Sequence, residues 1–174
     1  MNQRPLLFLD FDDVICLNNP YGGYDVKIFA KTDPPKDFWE KLFDQNAKEI
    51  LLSILDEFNP KVVITTSWLK FMDRDSVVTL FKKSGMGKVA ESLHEQWEAP
   101  QLHQRNRLDA IDRWMQQFYE GESFVILDDK DSGNSLRGSK FDKAGQLILC
   151  DLDIGLTQKH LEITKVSLTD QSKK

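Results

Sequence analysis

The chain has 174 residues, 40% hydrophobic and 29% charged, with a net charge of −5. That length suits one domain with a substantial core, and the acidic balance argues against broad, sequence-independent binding to nucleic acid, where Lys and Arg must neutralise phosphate. Two cysteines, Cys16 and Cys150, make no disulfide framework, and no apolar run approaches the ~20 residues that span a bilayer, so the expectation is a soluble, cytoplasmic protein with no membrane partner.

In chain order, "PLLFLD" (5–10) predicts a buried strand, an apolar run closed by a polar turn. "NNPYGGYDVKIFAKTDPP" (18–35) is rich in Gly, Pro, Asn and Asp, which predicts loop and hairpin with "GG" as the turn. Residues 46–58 place Ala47, Ile50, Leu51, Ile54, Leu55 and Phe58 at helical spacing, and Asn59-Pro60 stops that helix. "KVVITTSW" (61–68) is a second strand, and 70–83 a helix ending near Gly85. Residues 86–104 are compatible with a short strand or a short helix. Leu108, Ile111, Trp114, Met115 and Phe118 share one helical face over 107–119. "SFVIL" (123–127) and "GQLILCD" (145–151) are further strands. Thr157 can cap a last short helix, with the chain from 166 to 174 a flexible tail. The domain is expected over 1–165. Continuous apolar strands alternating with helices predict an open α/β, Rossmann-like fold of three layers around a mostly parallel sheet.

In such folds ligands bind beyond the carboxyl ends of the strands. Those ends carry Asp10 and Asp12; Thr65, Thr66 and Ser67; Asp128, Asp129 and Asp131; and Asp151 and Asp153. One Asp pair after a strand is weak, because Asp bonds local backbone wherever strands become loops. Several such ends facing one crevice are costly unless a cation neutralises them. Hard oxygen donors at this density suit Mg²⁺, and phosphate chemistry follows from it. The first Asp can serve as nucleophile and the second as proton donor and acceptor.

"LFLDFDDVI", "VVITTS" and "VILDDKD", in that order, resemble the haloacid dehalogenase-like (HAD) superfamily of hydrolases. "TTSWLK", "ILDDKDSGNSL" and "DIGLTQKHLE" resemble the HAD domains of Swiss Army Knife RNA-repair proteins. The resemblance implies a Mg²⁺-dependent phosphatase. Asp10 would be the nucleophile and a metal ligand, and Asp12 the general acid/base with its carbonyl on the metal. Thr66 would bond the transferring phosphoryl group, with Thr65 and Ser67 as register alternatives. Asp128 and Asp129 would complete the metal site, which of them directly being left open, with Asp131 as outer support. Arg107 would be the cation that neutralises phosphate and nucleophile, ahead of Arg105 and then Lys82 or Lys83. Asp13 stands where family members often carry Gly. It can adopt the same positive φ, and its charge either tunes Asp12 or faces water; it is counted with Thr65 and Ser67 among the phosphate-binding candidates.

The resemblance implies a cap domain in many relatives, but here it leaves only a flap or minimal cap over about 16–45, with no room for a helical bundle between Ile15 and residue 46, so the crevice is expected to be open. That suggests a large substrate, such as a polynucleotide end, or a partner acting as lid. The alternatives are a small-molecule or nucleotide phosphatase, and a catalytically silent HAD-like binding module. In the flap, Tyr21, Tyr24, Lys27, Phe29 and Lys31 could stack bases and hold phosphates, although ordinary packing accounts for them. Trp68, just after the second motif, could face the crevice or pack the core, with core preferred; Trp39, Trp97 and Trp114 are assigned to packing, His94, His103 and His160 to the surface. Cys16 lacks a base to activate it.

Overall fold

A computed structural model describes residues 3–101 and 105–173. Among these, five strands form one sheet in the order β3-β2-β1-β4-β5, every neighbouring pair parallel. The strands are β1 (Leu6–Leu9), β2 (Lys61–Ile64), β3 (Leu93–Glu98), β4 (Phe124–Asp129) and β5 (Leu147–Cys150). The helices are α1 (Gly23–Phe29), α2 (Phe38–Lys41), α3 (Gln45–Phe58), α4 (Arg74–Lys83), α5 (Gly87–Glu91), α6 (Arg107–Phe118), α7 (Lys140–Lys143) and α8 (Gln158–Gln171). Short 3₁₀ turns lie at Ser67–Lys70 and Asn134–Leu136.

The central strands are apolar on both faces because helices cover both. Side chains alternate along a strand, and two cores result. Leu7 and Leu9 join Val62, Ile64, Val125 and Leu127 under α3, α4 and α8. Leu6 and Phe8 join Val63, Ile126 and Phe124 under α6 and α7, where Ile111, Trp114 and Phe141 pack. At about 25 cal/mol per Å² of apolar area, such burial dominates folding. Strand ends and helix starts are fixed by local chemistry. Asp44 accepts from the Ala47 N–H to cap α3, and Asp73 accepts from Ser76 to cap α4.

Three expectations are corrected, and the open choice at 86–104 is settled. The 18–35 stretch is not a hairpin: α1 forms there, with Val26 and Phe29 turned inward and Phe29 edge-on to Phe38 at 4.9 Å. It has no strand to pair with, and its Gly22 N–H is held by Asp25. Residues 86–104 hold both a helix, α5, and the edge strand β3. The tail does not begin at 166. Helix α8 continues to Gln171, Leu168 is buried, and Gln171 bonds both backbone groups of Phe124 at 2.8 and 3.0 Å. His160 is buried rather than superficial, and His94 is half-buried against Trp114. His103 lies outside the described residues. Among the described residues, no helix is long and apolar enough to cross a membrane.

Candidate active site

The sheet register brings the acidic residues together. Leu9 is opposite Leu127, and the Asp10 N–H donates to the Leu127 carbonyl at 3.0 Å, so Asp10 emerges beside Asp128. Asp10 continues the Leu6–Phe8 face and Asp128 the Phe124–Ile126 face, both toward α6. Arg107, the first residue of α6, meets them there. Its Nε lies 2.8 Å from Asp128 Oδ2 and its Nη2 3.2 Å from Asp10 Oδ2, all three side chains no more than 2% exposed. Asn106 caps α6 through the Asp109 N–H, and Ser135 Oγ accepts from Leu108, so the helix start is tied to the loop after β4. With its oxygen toward Arg107, Gln101 accepts from Nη1 at 3.1 Å and Nε at 3.3 Å.

Asp10, Asp128 and Asp129 each offer a carboxylate oxygen, and these oxygens lie within 4.8 Å of one another. Asp129 Oδ1 accepts from the backbone N–H groups of Asp131 and Ser132, at 2.7 and 2.9 Å. Asp128 Oδ1 accepts from the Asp129 N–H. The remaining oxygens, Oδ2 of Asp10, Asp128 and Asp129, are buried without a directed hydrogen bond, despite the charge of Arg107 close by. Burial pushes the Asp10 carboxyl up to about 6. Arg107 opposes that rise, and Asp12 and Asp129 add to it. Burial raises Asp128 well above the usual range as well, with Asp10 adding to the rise. Three buried carboxylate oxygens, only two of them facing a guanidinium, form a donor set that fits a hard divalent cation.

The other expected residues are distributed around this cluster. Thr65 and Thr66 are buried at the end of β2, while Ser67 is exposed. Thr66 Oγ1 caps the following 3₁₀ turn by accepting from Trp68 at 3.4 Å. A cleft of about 260 Å³, lined by Thr66, Ser67, Lys70, Glu98 and Gln101, opens beside them. Asp12 is half-buried and bonded to Trp68 and Asn18. Asp13 holds φ at 55°, the conformation its place required, and accepts from the Asp153 N–H. Asp131 is exposed and reaches Asp129 through its backbone. Asp151 and Asp153 point to solvent, Asp151 paired with Lys130, so the end of β5 does not join the cluster. Arg105 is exposed, and Lys83 lies over the Trp39 ring.

Within the family comparisons, the model describing the HAD domain in Swiss Army Knife RNA repair proteins matches residues 6–161. The chain belongs to this family. No curated protein and no solved structure matches it. The general chemistry of a HAD domain is phosphatase-type hydrolysis.

One feature of this HAD domain had no place in the sequence reading, and a second was read only in part. Gly133 packs so closely that a Cβ would fall 2.7 Å from the Asp129 carbonyl and 3.0 Å from Asp128 Cβ. Trp68, with the core preferred over the crevice, is buried as expected but also donates to Asp12. The glycine inside "DDKDSGNS" was a signal for the first; the second had none at the level of spacing. Of the thiols, burial pushes Cys16 up to about 12 and raises Cys150 as well, which leaves neither poised as a nucleophile.

Proposed function

We propose that this HAD domain is a Mg²⁺-dependent phosphomonoesterase acting on a polynucleotide end. The carrying observation is the trio of buried carboxylate oxygens on Asp10, Asp128 and Asp129, none with a directed hydrogen bond and two of them ion-paired with Arg107. Asp10, Asp129 and the Asp12 carbonyl would hold Mg²⁺, with Asp128 in support. When bound, the ion would screen the negative charge of the phosphoryl group.

Asp10, ionised, attacks phosphorus as the bond to the leaving oxygen breaks, forming an aspartyl-phosphate. Asp12 gives its proton to that oxygen. In the second half it takes a proton from the attacking water, which releases phosphate and restores Asp10. Thr66 bonds the phosphoryl group, with Thr65, Ser67 and Asp13 as the adjoining positions. Arg107 balances the charge of nucleophile and phosphate. Of the acidic pair after β4, Asp129 supplies the direct ligand in this reading, because its Oδ2 is wholly free while Asp128 Oδ2 faces Arg107.

The substrate class is supported by the family's description as a part of RNA repair proteins. It is also supported by the small insert between β1 and α3, whose two helices pack on the core. A panel of 3′- and 5′-phosphorylated oligonucleotides, nucleotides, sugar phosphates and p-nitrophenyl phosphate, each with Mg²⁺ or EDTA, tests the reading. Phosphate release from oligonucleotide ends, dependent on Mg²⁺ and reduced about 10⁴-fold or more in Asp10→Asn, is expected. Equal release by Asp10→Asn, or none from any member of the panel, would sink it. Release confined to small phosphates would reject the polynucleotide end alone.

A further inference from the structure

Asp12 lies in the turn after β1, and both its carboxylate oxygens are engaged by residues outside the acidic strand ends. Trp68 donates its indole N–H to Oδ2 at 2.9 Å. Asn18 donates its amide N–H to Oδ1 at 3.1 Å. The two donors are placed differently, Trp68 in the core and Asn18 at an exposed turn. Trp68 is 2% exposed, edge-on to Phe11 at 5.2 Å and stacked against Phe43 and Phe71. Asn18 sits at φ 55°, a conformation Asn tolerates better than most residues. The insert is seated on both. A Cβ on Gly22 would fall 1.8 Å from Asn18 Oδ1, and one on Gly23 2.7 Å from Trp68 Nε1.

A carboxylate held by one donor can still swing about it. Two donors from different parts of the chain fix both its position and the plane it faces. We propose that Trp68 and Asn18 are positioning residues that aim Asp12 for proton transfer, with Gly22 and Gly23 allowing the insert to close against them. The proposal rests on the reading of Asp12 as the acid and base of phosphoryl transfer. Trp68 and Asn18 exchange no proton themselves. When the ester bond breaks, its electron pair stays on the leaving oxygen, which takes the Asp12 proton. An alkoxide needs that proton far more than a nitrophenolate does, so a misaimed Asp12 is felt most with basic leaving groups.

The test compares wild type, Trp68→Phe, Asn18→Gly, Asp12→Asn and the two doubles with Asp12→Asn, on an alkyl phosphate and on p-nitrophenyl phosphate. Asn18→Gly keeps the backbone conformation, so it serves if Trp68→Phe folds poorly. Each single variant is expected to lower kcat/KM on the alkyl phosphate about 10–100-fold. That loss should exceed the loss on the aryl phosphate about tenfold. In the Asp12→Asn background neither change should add to the loss. Equal losses on both substrates, or full losses in the Asp12→Asn background, would mean that Trp68 and Asn18 only support the fold. Independently of turnover, the Trp68 indole N–H resonance, assigned by its absence in Trp68→Phe, should move in Asp12→Asn. A resonance that stays in place overturns the proposal. Turnover unaffected by Asp10→Asn overturns the phosphatase reading itself, and the positioning role with it.

Discussion

Arg107 is the residue on which the electrostatics of the site turn. Its guanidinium is buried between Asp10 and Asp128, two carboxylates that adjoin across the β1–β4 ladder. Removing one partner of a buried ion pair leaves an uncompensated charge, which typically costs about 3–5 kcal/mol. Urea unfolding in EDTA should show a loss of that size for Arg107→Ala. Adding Asp128→Asn should recover part of it, since one of the stranded charges is then gone. Gly133 makes a second prediction. Its φ of −85° suits any residue, so only space forbids a side chain. Gly133→Ala would press on the Asp129 carbonyl and on Leu149, costing about 1–3 kcal/mol. It should also weaken Mg²⁺ affinity about tenfold, the effect of disturbing the support behind a ligand; unchanged affinity by calorimetry would show that Asp129 is not displaced. The acidic cluster itself was legible as strand ends. The division of labour between Asp128 and Asp129 was half-legible: alternation along "FVILDD" puts Asp128 on the Phe124–Ile126 face, where α6 and Arg107 lie. Trp68 was not, because nothing in its spacing distinguishes a core indole with a free N–H from one aimed at a carboxylate.

Elements with strong periodicity were readable, and those held by tertiary contacts were not. The strands "LLFL" and "FVIL" and the helices α3 and α6 announce themselves because both sides of the sheet must be dry. The edge strand β3, "LHEQWE", is half solvated and carries no clear pattern. Helix α1 hides in a segment full of turn-forming residues, since two inward side chains, Val26 and Phe29, are enough to dock it. Helix α8 is polar in sequence and is fixed at its far end by Leu168 and by Gln171 on Phe124. Leu168→Ala should therefore cost about 2–5 kcal/mol, whereas a frayed tail would tolerate it. The near end of α8 depends on pH. His160 Nδ1 accepts the Thr157 N–H at 3.0 Å, which only an unprotonated nitrogen can do. Burial lowers the His160 pKa from its ordinary 6.5, and the nearby Lys159 and Lys130 act in the same direction against Asp151. A lowered folded-state pKa means that this stabilisation is present above about 6.5 and lost as pH falls below it. His160→Gln keeps a capping side chain without the titration. Thermal unfolding of the two proteins should run parallel above neutrality and diverge below about pH 6.5, wild type losing more; parallel curves throughout would remove His160 from the cap.

At the scale of the whole molecule, the topology gathers charge that the chain alone is poorly equipped to carry. A parallel sheet sends every strand end to one edge, and three of those carboxylates keep a buried oxygen without a hydrogen bond. The folded-state pKa of Asp10 is pushed from 3.8 up to about 6 by burial, and Asp128 is raised in the same direction. For a carboxyl raised on folding, the unfolded chain ionises first. Its contribution to stability is full below about pH 4 and is lost as pH climbs through about 6. Without metal, the cluster should thus weigh progressively against the fold across that window. A divalent cation bound to the same oxygens must displace their protons, so its stabilising effect grows with pH. Magnesium at about 100 times its Kd adds about 2.7 kcal/mol to the folded state. For a chain of this length, each kcal/mol moves the melting temperature by about 2–4 °C. Differential scanning with and without Mg²⁺ should therefore show almost no shift near pH 4.5 and a rise of about 5–10 °C near pH 7.5. Asp129→Asn should abolish the rise, and EDTA should reverse it in the wild type. A Mg²⁺ shift that is the same at both pH values, or that survives Asp129→Asn, would place the metal somewhere other than these strand ends.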